Sequence, residues 1–114
     1  MVTFVEPLLR QMGTEEIADQ LLRASDSVVS NYRAAGRGKS HDDFTNKIAI
    51  VLEEADEVEG CLGRLRGRNG VDEGRRLSLE DEASQLVRIF SASLRTAKRN
   101  QALRHRQGKR RRAQ

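Results

Sequence analysis

The hydrophobic positions of this chain recur at helical spacing, most clearly in its middle third. Two interleaved sets repeat there every seven residues, namely Phe44, Val51, Val58 and Leu65 with Ile48, Ala55 and Leu62. Alternating steps of four and three residues are typical of helices that pack about 20° from antiparallel. Ser40 and Asp43 stand where an N-cap and a third helical residue belong. The pattern predicts a helix over residues 40–65.

Three further segments have helical signals. Thr14, followed by two glutamates, and Gly36 bracket a predicted helix over residues 14–35. Ser78 and Asp81 predict the start of another over residues 78–103. Residues 2–12 have the spacing of a short first helix, in which Pro7 is tolerated only within the first turn. Residues 67–77 are rich in glycine and charge and predict a solvated loop. The pattern indicates an all-α domain over residues 1–103.

Composition narrows the class further. A chain of 114 residues with 37% hydrophobic residues corresponds to one domain with a modest core. The single cysteine, Cys61, excludes an intramolecular disulfide and suits a reducing compartment. Residues 1–11 are interrupted by Glu6, Pro7 and Arg10, so they do not form a secretory signal, and no stretch approaches membrane-spanning length. We therefore expect a cytoplasmic protein that has no membrane partner.

Charge is distributed unevenly along the chain. The net charge is +4, yet residues 1–103 contain fifteen cations and seventeen acids. Residues 104–114 contain no acid and six cations, which are Arg104, Arg106, Lys109, Arg110, Arg111 and Arg112. A block of like charge with little apolar surface gains too little from ordering. The sequence therefore predicts a disordered basic tail over residues 104–114.

The lengths of the predicted helices predict an exposed apolar groove. Three of them have roughly 22 to 26 residues, which corresponds to about 33 to 39 Å, whereas the first is at most half as long. A bundle built from these helices leaves apolar surface uncovered beside the first helix. Such surface is normally closed by another chain. We therefore expect the protein to form an oligomer.

No constellation of residues indicates catalysis. The acidic residues of the third helix would suggest a di-iron site only with Glu-x-x-His pairs, and neither His41 nor His105 follows a glutamate by three. His41 is expected to be an exposed residue beside a helix cap, because no nucleophile has a recognisable partner. We expect no enzymatic activity, no catalytic residue, no metal, no cofactor and no small-molecule substrate.

Two groups of cations are candidates for binding nucleic acid. Arg33, Arg37 and Lys39 surround a glycine turn before the third helix, where cations and free backbone amides can hold phosphate. Arg33 pairing with Glu53 or Glu57, within or between subunits, is the favoured alternative. The second group is the tail, whose cations either contact phosphates or only increase solubility. Little aromatic interleaving is present, so base stacking is not indicated.

Several sequence runs resemble a known family. They are QLLRASDSVVSNYRAA at residues 20–35, the turn at residues 37–40, Asp43-Phe44, IVLEEADE at residues 50–57, and DEASQLVRIFSASLRTAKR at residues 81–99. Together these runs resemble the bacterial four-helix bundle proteins encoded by intervening sequences in large-subunit ribosomal RNA genes. The resemblance extends over about residues 14–99. The first helix of the family is typically about twice as long as residues 1–12 allow.

The resemblance implies an antiparallel up-down-up-down four-helix bundle, here with a shortened first helix, that assembles as a ring-shaped homopentamer without enzymatic activity. The family is related in fold to the accessory protein of diversity-generating retroelements, which binds nucleic acid through a basic pentamer surface. We therefore expect a noncatalytic oligomer that binds nucleic acid through its basic surface and tail. RNA is the first candidate for this nucleic acid and DNA is the second. The alternative is a protein-interaction scaffold or accessory subunit that does not bind nucleic acid directly.

Overall fold

Four helices follow one another along the chain: α1 (Val2–Leu9), α2 (Glu15–Gly36), α3 (His41–Arg64) and α4 (Glu73–Ala113). The computed structural model describes residues 1–38 and 40–113, and no strand occurs within these ranges. Arg76 of α4 contacts Leu62 at one end of α3, and Gln101 contacts Asp42 at the other, so these two helices are antiparallel. The predicted all-α four-helix bundle with a shortened first helix is confirmed.

The apolar stripe of α3 is the centre of the core. α2 and α4 both pack along α3, while α1 packs on α2. Six of the seven predicted seam residues are buried, namely Ile48, Val51, Ala55, Val58, Leu62 and Leu65. The exception is Phe44, which remains 37% exposed because α1 does not extend to its end of the bundle. The larger hydrophobic cluster lies at the opposite end, where Phe4, Val5 and Leu8 of α1 complete it.

The first helix is shorter than the prediction of residues 2–12. It ends at Leu9, because a turn follows in which Gly13 adopts a φ of 95° and Thr14 donates a hydrogen bond to the Leu8 carbonyl at 2.9 Å. Pro7 lies beyond the first turn of α1, contrary to the prediction. Pro7 has no amide proton to donate to the carbonyl of Thr3. Because Thr3 and Pro7 are both exposed, water can donate a hydrogen bond to this carbonyl instead.

The start of α3 confirms its predicted cap, whereas the start of α4 differs from the prediction. Ser40 Oγ accepts a hydrogen bond from the Asp43 amide at 3.0 Å. α4 begins at Glu73 rather than near Ser78, because Asp72 Oδ1 accepts a hydrogen bond from the Arg75 amide at 3.2 Å and supplies an earlier cap. Residues 73–77, predicted as loop, are therefore helical.

The basic segment also differs from the prediction of disorder, because residues 104–113 continue α4 as helix. Arg, Lys, Gln and Ala are all good helix formers. Extending a helix that is already formed avoids the cost of nucleation. α4 has 41 residues, or about 61 Å at 1.5 Å per residue, and spans most of the 66 Å long axis of the molecule.

Arg76 is a charged side chain inside the core, and the sequence pattern did not predict it. Its side chain is only 1% exposed and donates to Glu73 at 2.6 Å, to Glu80 at 2.8 Å and to the Leu62 carbonyl at 3.2 Å. The hydrogen bond from Arg76 lowers the pKa of Glu73 below its usual value. Arg76 thus joins α4 to the C-terminal end of α3 while its own donors remain satisfied.

We predict that Arg76→Ala lowers the free energy of unfolding by about 3 kcal/mol, because the Leu62 carbonyl loses a partner and two carboxylates lose their shared cation. Chemical denaturation followed by circular dichroism measures this. The neighbouring Arg75→Ala is the control. Arg75 is exposed, so its replacement should change stability by less than about 0.5 kcal/mol. Equal effects of the two substitutions would contradict the role assigned to Arg76.

Candidate nucleic-acid interface

The positive charge of the molecule is concentrated in the second part of α4. Residues 83–114 contain ten cations and no acid, whereas residues 1–82 contain eleven cations and seventeen acids. Asp56 and Glu59 of α3 line an open recess with Glu80 and Asp81 of α4, toward the end of the bundle where α4 begins. The molecule is therefore electrically polarised, acidic toward the start of α4 and basic toward its C-terminal end.

The turn between α2 and α3 lies at the basic end. His41 Nε2 is 3.0 Å from the carbonyl oxygen of Ala97, and Gln101 Nε2 donates to Asp42 at 2.8 Å. The C-terminal end of α2 therefore lies at the same height along the bundle as the segment of α4 that contains its cations. Arg33 and Arg37 are exposed there. Lys39, the third predicted cation of this turn, lies outside the described residues.

The backbone at the start of α3 is poorly suited to hold a phosphate. Ser40 Oγ already occupies the Asp43 amide, and the side chains of Asp42 and Asp43 place two carboxylates in the first turn. The hydrogen bond from Gln101 lowers the pKa of Asp42, so this carboxylate stays ionised more readily. Two anions at the helix N-terminus repel a third. Arg33 and Arg37 therefore remain candidates through their side chains only.

The structure does not form the predicted pair of Arg33 with Glu53 or Glu57 within one chain. Glu57 lies 3.9 Å from Arg64, and among the described residues Arg33 has no salt-bridge partner. A pair between subunits stays a prediction. Arg33 instead lines an apolar groove between α2 and α4.

The six predicted tail cations, Arg104, Arg106, Lys109, Arg110, Arg111 and Arg112, are all exposed on α4. Four more exposed cations lie after Glu82 on the same helix, Arg88, Arg95, Lys98 and Arg99, and they are not among the predicted site residues. The signal that could have identified them is the absence of any acid after Glu82. His105 Nε2 lies 3.7 Å from Asp42, so α4 contacts the bundle near this residue before its final turns.

An apolar groove runs between α2 and α4 on the side that α1 leaves open. Its floor contains Ile48 and Phe90, which are buried. Its walls carry Val29 and Tyr32 of α2, 50% and 57% exposed, and Leu86 and Ile89 of α4, 40% and 57% exposed. The ring centroids of Tyr32 and Phe90 are 5.9 Å apart in an edge-to-face arrangement. The groove predicted from the short first helix is therefore present.

Cys61 and the side chains of metal-ligating type are the remaining candidates for reactive chemistry. Cys61 is buried, and desolvation raises the pKa of its thiol, which disfavours the nucleophilic thiolate. Residues 1–38 and 40–113 contain no group of three His, Cys, Asp or Glu side chains arranged to hold a metal. Over the same residues, no helix combines the length and the apolar character that crossing a membrane requires.

Comparisons with known proteins agree with this fold. The model of the 23S rRNA-intervening sequence protein family matches residues 6–92, and the resemblance inferred from the sequence runs is confirmed. A protein of unknown function from the S23 ribosomal protein family of Bacteroides thetaiotaomicron has a similar structure, with a TM-score of 0.72 and 25% sequence identity. The match covers 82% of this chain and 86% of that chain. No curated protein matches the chain.

Proposed function

The chain belongs to the 23S rRNA-intervening sequence protein family, and we propose that it is a noncatalytic helical bundle that binds nucleic acid, RNA foremost. The observation that supports this proposal is the run of ten cations without an acid in residues 83–114. The family model matches residues 6–92, so nine of these ten cations lie beyond the matched range. They would add a phosphate-binding element to the family fold.

The physical basis is the release of counterions from phosphates. Each Lys or Arg that neutralises a phosphate releases a condensed cation, which makes binding favourable and dependent on salt. Acids repel phosphates, and none lies among these cations to weaken the local field. Contacts of this kind carry no sequence information, so binding through α4 would be largely independent of sequence. Arg33 and Arg37 at the same end would add contacts.

We also propose that the protein acts as a homo-oligomer, a homopentamer by its family resemblance. The groove between α2 and α4 exposes several large apolar side chains at its centre, as expected of a surface that another chain covers. Several copies would present several basic helices to one nucleic acid. Linked weak contacts then bind far more tightly than each alone. A cytoplasmic location, which suits the free Cys61, is part of the same proposal.

The second candidate function is that of a protein-interaction scaffold without direct nucleic-acid binding. The same groove favours it, because an amphipathic helix of a partner protein would also fit between α2 and α4. The two functions differ in their use of α4, since a scaffold would not need the cations of residues 104–113.

We predict that the protein binds a fluorescent RNA of generic sequence and that deleting residues 104–114 weakens binding strongly at low salt. Neutralising about five phosphates gives a slope of log K against log salt of roughly −4 to −5 for a duplex, so titrations at two salt concentrations detect these contacts. The deletion should bring this slope closer to zero. Unchanged binding after the deletion would contradict the role of the tail cations, whereas no binding of the RNA by the intact chain would favour the scaffold.

We predict that the protein in solution has a mass several times the 12.8 kDa of one chain, or about 64 kDa for five copies. Light scattering measures this mass. Val29→Glu should reduce this mass, because it places a charge in the apolar groove. Ser30→Glu is the matched control, since it introduces the same side chain at the next exposed position of α2, outside the residues that line the groove. A wild-type mass of about 13 kDa would contradict assembly.

A further inference from the structure

The cations of α4 follow a register that becomes visible only because residues 104–113 are helical. Successive residues of a helix are rotated by about 100°, so a residue's position around the axis follows from its number. One face of α4 collects seven exposed cations, which are Arg88, Arg95, Lys98, Arg99, Arg106, Lys109 and Arg110. From Arg88 to Arg110 the helix rises by 22 steps, or about 33 Å. We refer to these seven cations as the basic stripe.

The basic stripe points away from the bundle. In the described part of α4, Phe90 and Ala97 are the last two buried residues, and they lie on the opposite side of the helix axis from the stripe. Gln101, on the same side as these two, contacts Asp42 of α3. Core packing therefore fixes the rotation of α4 and directs the stripe outward. None of its seven cations forms a salt bridge with another described residue.

The stripe contains two pairs of adjacent cations. Lys98 and Arg99 lie on either side of its centre line, and Lys109 and Arg110 do the same eleven residues later. Eleven residues correspond to about three turns and 16 Å. Arg95 and Arg106 lie near the centre line, also eleven residues apart. The stripe thus presents two similar sets of cations, each spread over about 100° of the helix surface.

We propose that the basic stripe is a binding site for the phosphate backbone of double-stranded nucleic acid; this inference rests on the proposed function and specifies its ligand. A double helix offers phosphates on both sides of a groove. A rod with cations on both sides of its exposed face can contact the two sides at once. An α-helix is about 10–12 Å wide, which fits the roughly 12 Å major groove of B-form DNA, while A-form RNA offers a wide, shallow minor groove.

The composition of α4 argues against a single strand as the preferred ligand. Proteins that bind single strands stack bases on aromatic side chains in addition to holding the backbone. The sequence after Phe90 contains no aromatic residue of the Phe, Tyr or Trp type, and Phe90 itself is buried. The ligand recognised by this face is therefore a regular array of phosphates rather than exposed bases.

Two triple variants divide the six tail cations by their position on the helix and test this proposal. The stripe variant is Arg106→Gln, Lys109→Gln, Arg110→Gln, and its matched partner is Arg104→Gln, Arg111→Gln, Arg112→Gln. Both remove three positive charges from the same segment, and Gln is a good helix former. The probes are an RNA duplex of about 20 base pairs, a DNA duplex of the same length and one of the single strands, all of which exceed the stripe in length.

We expect the wild-type protein to bind either duplex more tightly than the single strand. The stripe variant should lose about 2.7 from the magnitude of the salt slope on DNA, at about 0.9 per phosphate contact, and its partner variant less than about 1. Its affinity for a duplex should fall at least fivefold further than that of its partner. Preference for the RNA or the DNA duplex then identifies the groove geometry that the stripe fits.

Equal losses in the two variants would overturn the proposal, because a tail without helical register does not distinguish these positions. Tighter binding of the single strand would overturn it as well. In both cases nucleic-acid binding itself persists, so the proposed function survives. A wild-type protein that binds none of the three probes would instead remove both the proposed function and this site.

Discussion

The structure depends on the burial of the apolar stripe of α3 on two sides. α2 packs along one side and α4 along the other, and α1 is long enough to complete the core at only one end. Burial of apolar surface is the dominant favourable term in folding, and it does not depend on direction. The apolar seam therefore determines which helices pack side by side. The close packing of side chains then determines how each helix is rotated about its own axis. The exposed groove between α2 and α4 follows from the same constraint, because α1 is too short to cover the gap between these two helices along their full length.

The rotation of α4 links this core to the proposed function. Phe90 and Ala97 must face α3, and because α4 is one continuous helix, their position determines where every later side chain points. A few buried residues therefore set the direction of cations up to about 20 Å further along the helix. Arg76 anchors the other end of α4 to the Leu62 carbonyl. The basic face is in this sense a consequence of packing rather than of local sequence alone.

The sequence predicted the fold class, the α3 seam, the Ser40 cap and the family because each depends on spacing or on contiguous residues. The predictions from the sequence are wrong where contacts between distant residues, or the extension of a helix that is already formed, determine the structure. The glycine-rich and charged composition of residues 67–77 predicts a loop at Arg76, since no local pattern reveals that a cation will be enclosed by Glu73, Glu80 and the end of α3. The start of α4 depends on the competing cap at Asp72. The sequence identifies the six tail cations one by one, but the face that three of them share with four earlier cations exists only if residues 104–113 are helical, and the block of like charge predicts disorder there.

The continuity of α4 from the bundle to Ala113 is the central claim, and a distance within this helix tests it most directly. Spin labels at Gln85→Cys and Gln107→Cys, both exposed, in a Cys61→Ala background allow the measurement by double electron–electron resonance. A continuous helix predicts one narrow distribution near 33 Å, the rise of 22 residues at about 1.5 Å each. A broad distribution, or a mean many ångströms shorter, would show that the chain leaves helical register after the bundle and would contradict the claim.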